Sequence, residues 1–317
     1  IIVILWPIKN NLKLSNYNHY SEKFLKSLNL NQEDGRKLYL ETWQRDRIFQ
    51  YDEYTGIKES NSINAEFVNI TDENGRLVAD NPKQCSKNIF FYGGESVFGY
   101  DVSDRQTIPS YFSNLLRLNR KDYCVYNFGR GTYFSTQENI LLQKHILNNR
   151  VKGEDIIIFI DGENEKGNLQ IINTEFIKKN YNDFHQRYWK LYKVGINHFF
   201  GTLPITQFFQ ILNKKKQPKK NEKDILNKNI INEEEIFDVY NKNLKIRKAI
   251  CDTYALECHN FLLVVDPLNQ NIYDRLRTIE KIKDITKNFL WEKNEHGLFT
   301  PKSNEIISKE IYQYVLN

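Results

Sequence analysis

With 317 residues, 27% of them charged and 40% hydrophobic, the chain can bury a substantial core and has the composition of a soluble globular protein. Its formal charge of +5 is local: between Asn213 and Asn229 seven lysines (Lys214, Lys215, Lys216, Lys219, Lys220, Lys223, Lys228) face only Glu222 and Asp224, and the remainder is neutral, which gives nucleic-acid binding little support. No apolar run is long enough to span a bilayer, and the four cysteines form no framework.

Cys85 and Cys124 are isolated, and Cys251 and Cys258 are seven apart. If that stretch is helical, the last two stand roughly 10 Å apart, too far for a disulfide, and a zinc site needs closer and more numerous ligands. All four are therefore expected to be small, partly buried residues, and no metal site is expected.

Residues 1–8 are uniformly apolar and then meet Lys9. Two readings stand side by side: the last turns of a membrane anchor with Trp6 and Lys9 at the interface, which would put the protein at a membrane or in the cell envelope, or a short packing segment. Residues 9–82 read as a helical and irregular N-terminal segment. Phe24, Leu25, Leu28 and Leu30 follow one helical spacing and Leu38, Leu40 and Trp43 another, with a break expected at Asn31 to Gly35. From Tyr51 to Pro82 the chain is a connecting segment with one hairpin, and Asp72-Glu-Asn-Gly75 is its turn signal.

From residue 83 to the end, strand-like and helix-like stretches alternate as a doubly wound sheet requires. Asn88 to Tyr92 is the first strand and Pro109 to Leu118 a helix begun by Thr107 with proline early. Tyr123 to Gly129 is the second strand; Ser135 to Leu147 is a helix with Ser135 and Glu138 spaced as a capping box; Asp155 to Gly162 is the third and most apolar strand. The lysine-rich stretch 213–229 reads as a solvated insertion. A helix from Glu233 to Cys258, a strand from Asn260 to Pro267, a helix to Asn288 and a terminal helix from Asn304 to Leu316 close the chain.

The chemistry concentrates where strands stop. After the run Ile89-Phe-Phe-Tyr92, Gly93 and Gly94 permit a sharp turn that delivers Glu95 and Ser96 at the carboxyl end of the strand, where open α/β sheets bind ligands. The other two strands end in Asn127-Phe-Gly129-Arg130 and Asp161-Gly-Glu-Asn164-Glu165, so three polar tips are expected on one rim. Ester hydrolysis by serine needs a nucleophile, a base and oxyanion donors, which Ser96, His296, the Gly129 amide and the Asn164 side chain could supply. A tight turn without chemistry remains the plain alternative.

The segments F-F-Y-G-G-E-S-V-F-G-Y, Y-N-F-G-R-G-T-Y-F-S-T-Q-E and F-I-D-G-E-N-E, with the block around His296, resemble the SGNH (GDSL-type) hydrolase superfamily. The chain is especially similar to bacterial members that carry an N-terminal anchor, a Glu-Thr-Trp segment (here Glu41 to Trp43) and an Asn-Gly-Arg turn (here Asn74 to Arg76). The resemblance implies a flavodoxin-like three-layer α/β/α sandwich with a parallel sheet, the SGNH hydrolase fold. It also implies a serine ester hydrolase or acyltransferase acting on an acylated small molecule or cell-envelope glycan, without cofactor. Gly129 and Asn164 match its oxyanion-hole residues. Relatives read Gly-Gly-Ser-Thr with a glycine four residues past the serine, and counting back from Gly99 puts Glu95 at that place; the Gly-Asp-Ser register puts Ser96 there. In the last block His296 is the candidate base, with Glu292 or Glu295 to orient it, whereas alignment on Thr300-Pro301 puts Leu298 at the histidine place. Three functions stay open: a hydrolase using Ser96 and His296, a catalytically inactive binding or scaffold protein, and a site in which Glu95 itself is nucleophile or base.

Overall fold

The computed structural model describes residues 20–44, 49–52, 54–59, 62–71, 75–131, 133–162, 233–263, 274–279, 282–286, 292–293 and 298–316. Backbone contacts divide the chain into two compact units, Ile1–Glu165 with Tyr240–Asn317, and Lys166–Val239. Of the second, only residues 233–239, the opening turns of a helix, are described. Residues 1–8 and the lysine-rich stretch lie outside the described residues, and no described helix is long and apolar enough to cross a membrane.

Two short helices come first, α1 (Glu22–Leu28) and α2 (Gln32–Tyr39). The Ser21 hydroxyl accepts from the Phe24 amide to start α1, Asn29 ends it in the left-handed region (φ 57°), and the Asn31 side chain accepts from the Asp34 amide to start α2. The break therefore falls at Asn29 to Asn31, not at Asn31 to Gly35. Gly35 sits inside α2 because a Cβ there would lie 2.2 Å from Leu25 Cδ2.

Next come an antiparallel hairpin, β1 (Phe49–Asp52) and β2 (Gly56–Glu59), and three short strands, β3 (Ile63–Asn64), β4 (Asn69–Thr71) and β5 (Gly75–Arg76). Residues 72–74 of the expected turn lie outside the described residues; β4 and β5 on either side of them pair antiparallel, and the connecting segment holds more strand than its Asn- and Glu-rich composition suggests.

The main layers follow: β6 (Lys87–Gly93), α3 (Glu95–Phe98), α4 (Ile108–Leu118), β7 (Tyr123–Asn127), α5 (Ser135–Leu147), β8 (Ile156–Asp161), α6 (Glu233–Thr253), β9 (Glu257–Leu262), β10 (Ile282–Asp284) and α7 (Pro301–Leu316). The sheet runs β10-β9-β8-β6-β7-β5-β4-β3, parallel from β10 to β5 and antiparallel beyond. Counted in chain order from β6, its five parallel core strands stand 2-1-3-4-5, the flavodoxin-like order. Alternate residues feed two apolar layers. Ile89, Phe91, Ile156 and Ile158 pack with Phe112 of α4 and Ile307 of α7 on one face. Phe90, Tyr92, Ile157 and Phe159 pack with Leu142 of α5 and Cys251 of α6 on the other. Strands covered on both sides need continuous apolar runs, and these have them. The fold is an α/β three-layer sandwich with a mostly parallel sheet.

Three expectations are corrected. Helix α6 stops at Thr253, Ala255 turns the chain in the left-handed region (φ 52°), and Cys258 returns on β9, so Cys251 and Cys258 lie 6.2 Å apart at Cα and form a disulfide. Cys85, two residues before β6, and Cys124 of β7 form a second one with Cα atoms 5.5 Å apart. The helix expected up to Asn288 contains instead the edge strand β10, whose three residues are too few to carry a readable period. Ser135 and Glu138 are not a capping box. Ser135 Oγ accepts from Asn243 Nδ2 (2.8 Å) and Glu138 pairs with Arg247 (3.2 Å), both from α6.

Candidate active site

The parallel register aligns the carboxyl ends of three adjacent strands. Asn127 pairs with Phe91, and Gly93 with Ile160, so the tips after β7, β6 and β8 stand side by side at the point where strand order reverses. The chain after β7 stays on β6: the Phe128 amide donates to Phe91 O (2.8 Å) and the Arg130 amide to Gly93 O (2.9 Å). At the centre, Gly93 has no room for a Cβ, which would lie 2.4 Å from Val97 Cγ2 and 2.8 Å from Ile160 O. That close approach lets α3 begin directly at the strand end.

Glu95 is the first residue of α3 and partly exposed; Ser96 follows and is only 7% exposed, with less than 1 Å² of accessible surface on its Oγ. Gly129 is pressed against α3: a Cβ would sit 2.3 Å from Phe98 N and 2.7 Å from Val97 C. Its amide donates to Asn127 Oδ1 (3.0 Å), and Asn127 Nδ2 donates to Val97 O (2.9 Å), so one buried amide side chain ties the rim loop to α3. Glu95, Ser96 and Gly129 are thus brought together. Asn164, His296 and Glu295 lie outside the described residues.

Glu292 has an exposed side chain 3.6 Å from Lys302, and its carbonyl accepts from the Thr300 amide (3.0 Å) and Ser303 Oγ (2.9 Å), a brace at the start of α7. Leu298, 6% exposed, belongs to the apolar cluster of Phe98, Tyr100 and Val102, the residues that follow Ser96. Among the described residues no group of three or more His, Cys, Asp or Glu could hold a metal ion. A cavity of about 760 Å³ lined by Asn69, Arg76, Asp104 and Tyr126 lies beside β5 and β7, and none of Glu95, Ser96 or Gly129 lines it.

Beneath the rim, Asp161 at the end of β8 is engaged below rather than offered to a ligand. Arg247 reaches it from α6 (2.7 and 3.2 Å), Tyr240 OH donates to it (2.8 Å), and the same guanidinium donates to Glu138, Asn139 and Asn260 while lying 3.6 Å from the Phe159 ring centroid. Burial alone would lower the Arg247 pKa, but the Asp161 and Glu138 carboxylates hold it above its ordinary value. Sequence reading missed Arg247 because its carboxylate partners, Asp161 and Glu138, lie 86 and 109 residues away. His145 is buried beside Tyr92 (2.7 Å) and Arg150 (3.3 Å). A ring that accepts from guanidinium at Nε2 carries its proton on Nδ1, so it donates to the Tyr92 oxygen. Burial first, and then the charges of Arg150, Arg130 and Lys144, push its pKa well below the ordinary 6.5.

No family model and no curated protein matches the chain. Solved structures do. A member of the lipolytic protein G-D-S-L family from Veillonella parvula DSM 2008 is similar over 72% of this chain and 97% of its own, at 8% identity and a TM-score of 0.41. A carbohydrate esterase, whose active site displays divergent catalytic and non-catalytic binding functions, is similar over 73% of this chain and 68% of its own, at 9% identity and a TM-score of 0.40.

Proposed function

We propose that this chain is a protein of the SGNH/GDSL hydrolase type that engages an acylated ligand, an acyl ester of a small molecule or glycan, at the switch-point rim, and that it binds without turning the ester over through Ser96. The observation that carries this reading is the Ser96 hydroxyl, which has less than 1 Å² of accessible surface, whereas attack needs the oxygen within reach of an acyl carbonyl. Two features support it: Leu298, at the place that alignment on Thr300-Pro301 gives the base, packs with Phe98 and Tyr100, and the Gly129 amide is already donating to Asn127. Both disulfides support a location outside a reducing cytosol, consistent with a cell-envelope protein.

The second reading is a serine ester hydrolase or acyltransferase with Ser96 as nucleophile, His296 as base, Glu292 or Glu295 orienting it, and Gly129 and Asn164 holding the oxyanion. It is favoured by the position of Ser96 in the single turn of α3, against the Gly129 loop, and it requires the Ser96 hydroxyl to become accessible to an acyl carbonyl. Calorimetric titration with short acyl esters and acetylated oligosaccharides, run beside release of p-nitrophenol from its acetate, separates the two. Binding with no release, unchanged in Ser96→Ala, supports the first reading. Release abolished by Ser96→Ala establishes the second, and absence of both binding and release overturns both.

A further inference from the structure

Two segments read from the sequence, Glu41 to Trp43 and the turn ending at Arg76, take no part in the chemistry considered above. Both act on the seven residues after Ser96. Arg76 is fully buried, and its guanidinium is spread over four acceptors: Nε donates to Asp104 Oδ1 (2.9 Å), Nη1 to Phe98 O (2.8 Å) and Gly99 O, and Nη2 to Val102 O (2.6 Å). The guanidinium carbon also lies 4.9 Å from the Phe98 ring centroid. Asp104 is held in turn by the Asn69 amide (3.0 Å) and Asn69 Nδ2 (2.8 Å). Asp101, fully buried with φ 61°, accepts from Tyr20 OH (2.6 Å) and Trp43 Nε1. Glu41 accepts from the amides of Phe67 (2.7 Å) and Val68 (3.1 Å), fixing the strand connection that carries Asn69.

A helix of four residues cannot hold its own shape, because nucleation costs more than one turn of hydrogen bonds returns. α3 is held from outside. Gly99 ends it in the left-handed region (φ 86°), and the carbonyls of Phe98 and Gly99, which have no helical partner beyond it, are taken by a buried cation at the end where a positive charge is favoured. We infer that Arg76 is a positioning residue for the Glu95–Ser96 turn, fixing the register of α3 and hence which of the two side chains meets the rim. A lysine cannot replace it, since one ammonium nitrogen cannot serve a carboxylate and three carbonyls in the fork geometry.

The inference rests on α3 carrying the site but not on whether the site binds or hydrolyses. Native-state hydrogen exchange read by mass spectrometry tests it, with Arg76→Ala and Arg76→Lys. The expected result in both is faster exchange across residues 94–104, roughly 10- to 100-fold, with β6 and β8 unchanged. In Arg76→Ala, guanidinium ion at a non-denaturing concentration restores protection and ammonium does not. Arg76→Lys keeps a cation for Asp104 and serves if the alanine variant does not fold. Wild-type protection of 94–104 in a folded variant, loosening of β6 and β8 in proportion, or equal rescue by ammonium would overturn the inference. No ligand or turnover enters the readout, so its failure and the failure of the proposed function are separate results.

Discussion

Reducing the two disulfides removes constraints whose worth follows from chain connectivity. Cys251–Cys258 has a sequence separation of 7 and Cys85–Cys124 one of 39. A cross-link restricts the unfolded chain by an amount that grows with the logarithm of loop length, about 2.5 kcal/mol for the short loop and about 4 kcal/mol for the long one. Against the roughly 5–15 kcal/mol that holds a typical protein folded, their joint loss of about 6 kcal/mol leaves little margin. Urea unfolding followed by circular dichroism, with and without reductant, measures the total. The paired variants Cys85→Ala with Cys124→Ala, and Cys251→Ala with Cys258→Ala, apportion it. The long-loop pair is expected to cost more than the short-loop pair. Four titratable thiols in the native protein under oxidising conditions, or a cost below about 1 kcal/mol for the long-loop pair, would refute the reasoning.

Arg247→Met strands the buried Asp161 and Glu138 carboxylates without their cation, and thermal unfolding should register a loss of about 3–5 kcal/mol. Gly129→Ala puts a Cβ against the Val97 and Phe98 backbone, which cannot yield as a side-chain tip would; a loss of about 1–3 kcal/mol is expected in chemical denaturation, with weakened binding at the rim. His145 is neutral in the fold and has its pKa depressed there, so the unfolded chain takes up the proton first. Its contribution is fully present above about pH 6.5 and falls by up to about 1.4 kcal/mol per unit as the pH drops below it. A stability–pH profile should therefore flatten between about pH 6.5 and 5 in His145→Gln, and an unchanged slope would contradict that assignment.

The core of the fold was legible because buried parallel strands must be apolar throughout: Ile89 to Tyr92 and Ile156 to Ile160 are such runs, and each is stopped by glycine. A glycine turn after β6 was legible, but its reason was not: Gly93 and Gly94 do not adopt a left-handed backbone, and Gly93 is needed because a Cβ would meet Val97 and Ile160, while the approach of Gly129 to Val97 and Phe98 had no local signal. What escaped was set by distance in sequence. Nothing near Cys251 shows that α6 ends in time for Cys258 to return, and nothing near Arg76 names Phe98, Gly99 and Val102 as its acceptors. The three residues of β10 carry no pattern of their own and become a strand by pairing with β9. Ser135 and Glu138 have the spacing of a cap, but α6 supplies Asn243 and Arg247 and turns both inward.

The accessibility of the Ser96 hydroxyl is the point on which the proposed function turns. Incubating the folded protein with a fluorophosphonate probe at neutral pH, and locating any adduct by peptide mass spectrometry, measures it directly. The proposal predicts an unmodified peptide spanning Ser96 in wild type. A stoichiometric adduct on Ser96, absent from Ser96→Ala, would contradict it and make this turn a working nucleophile.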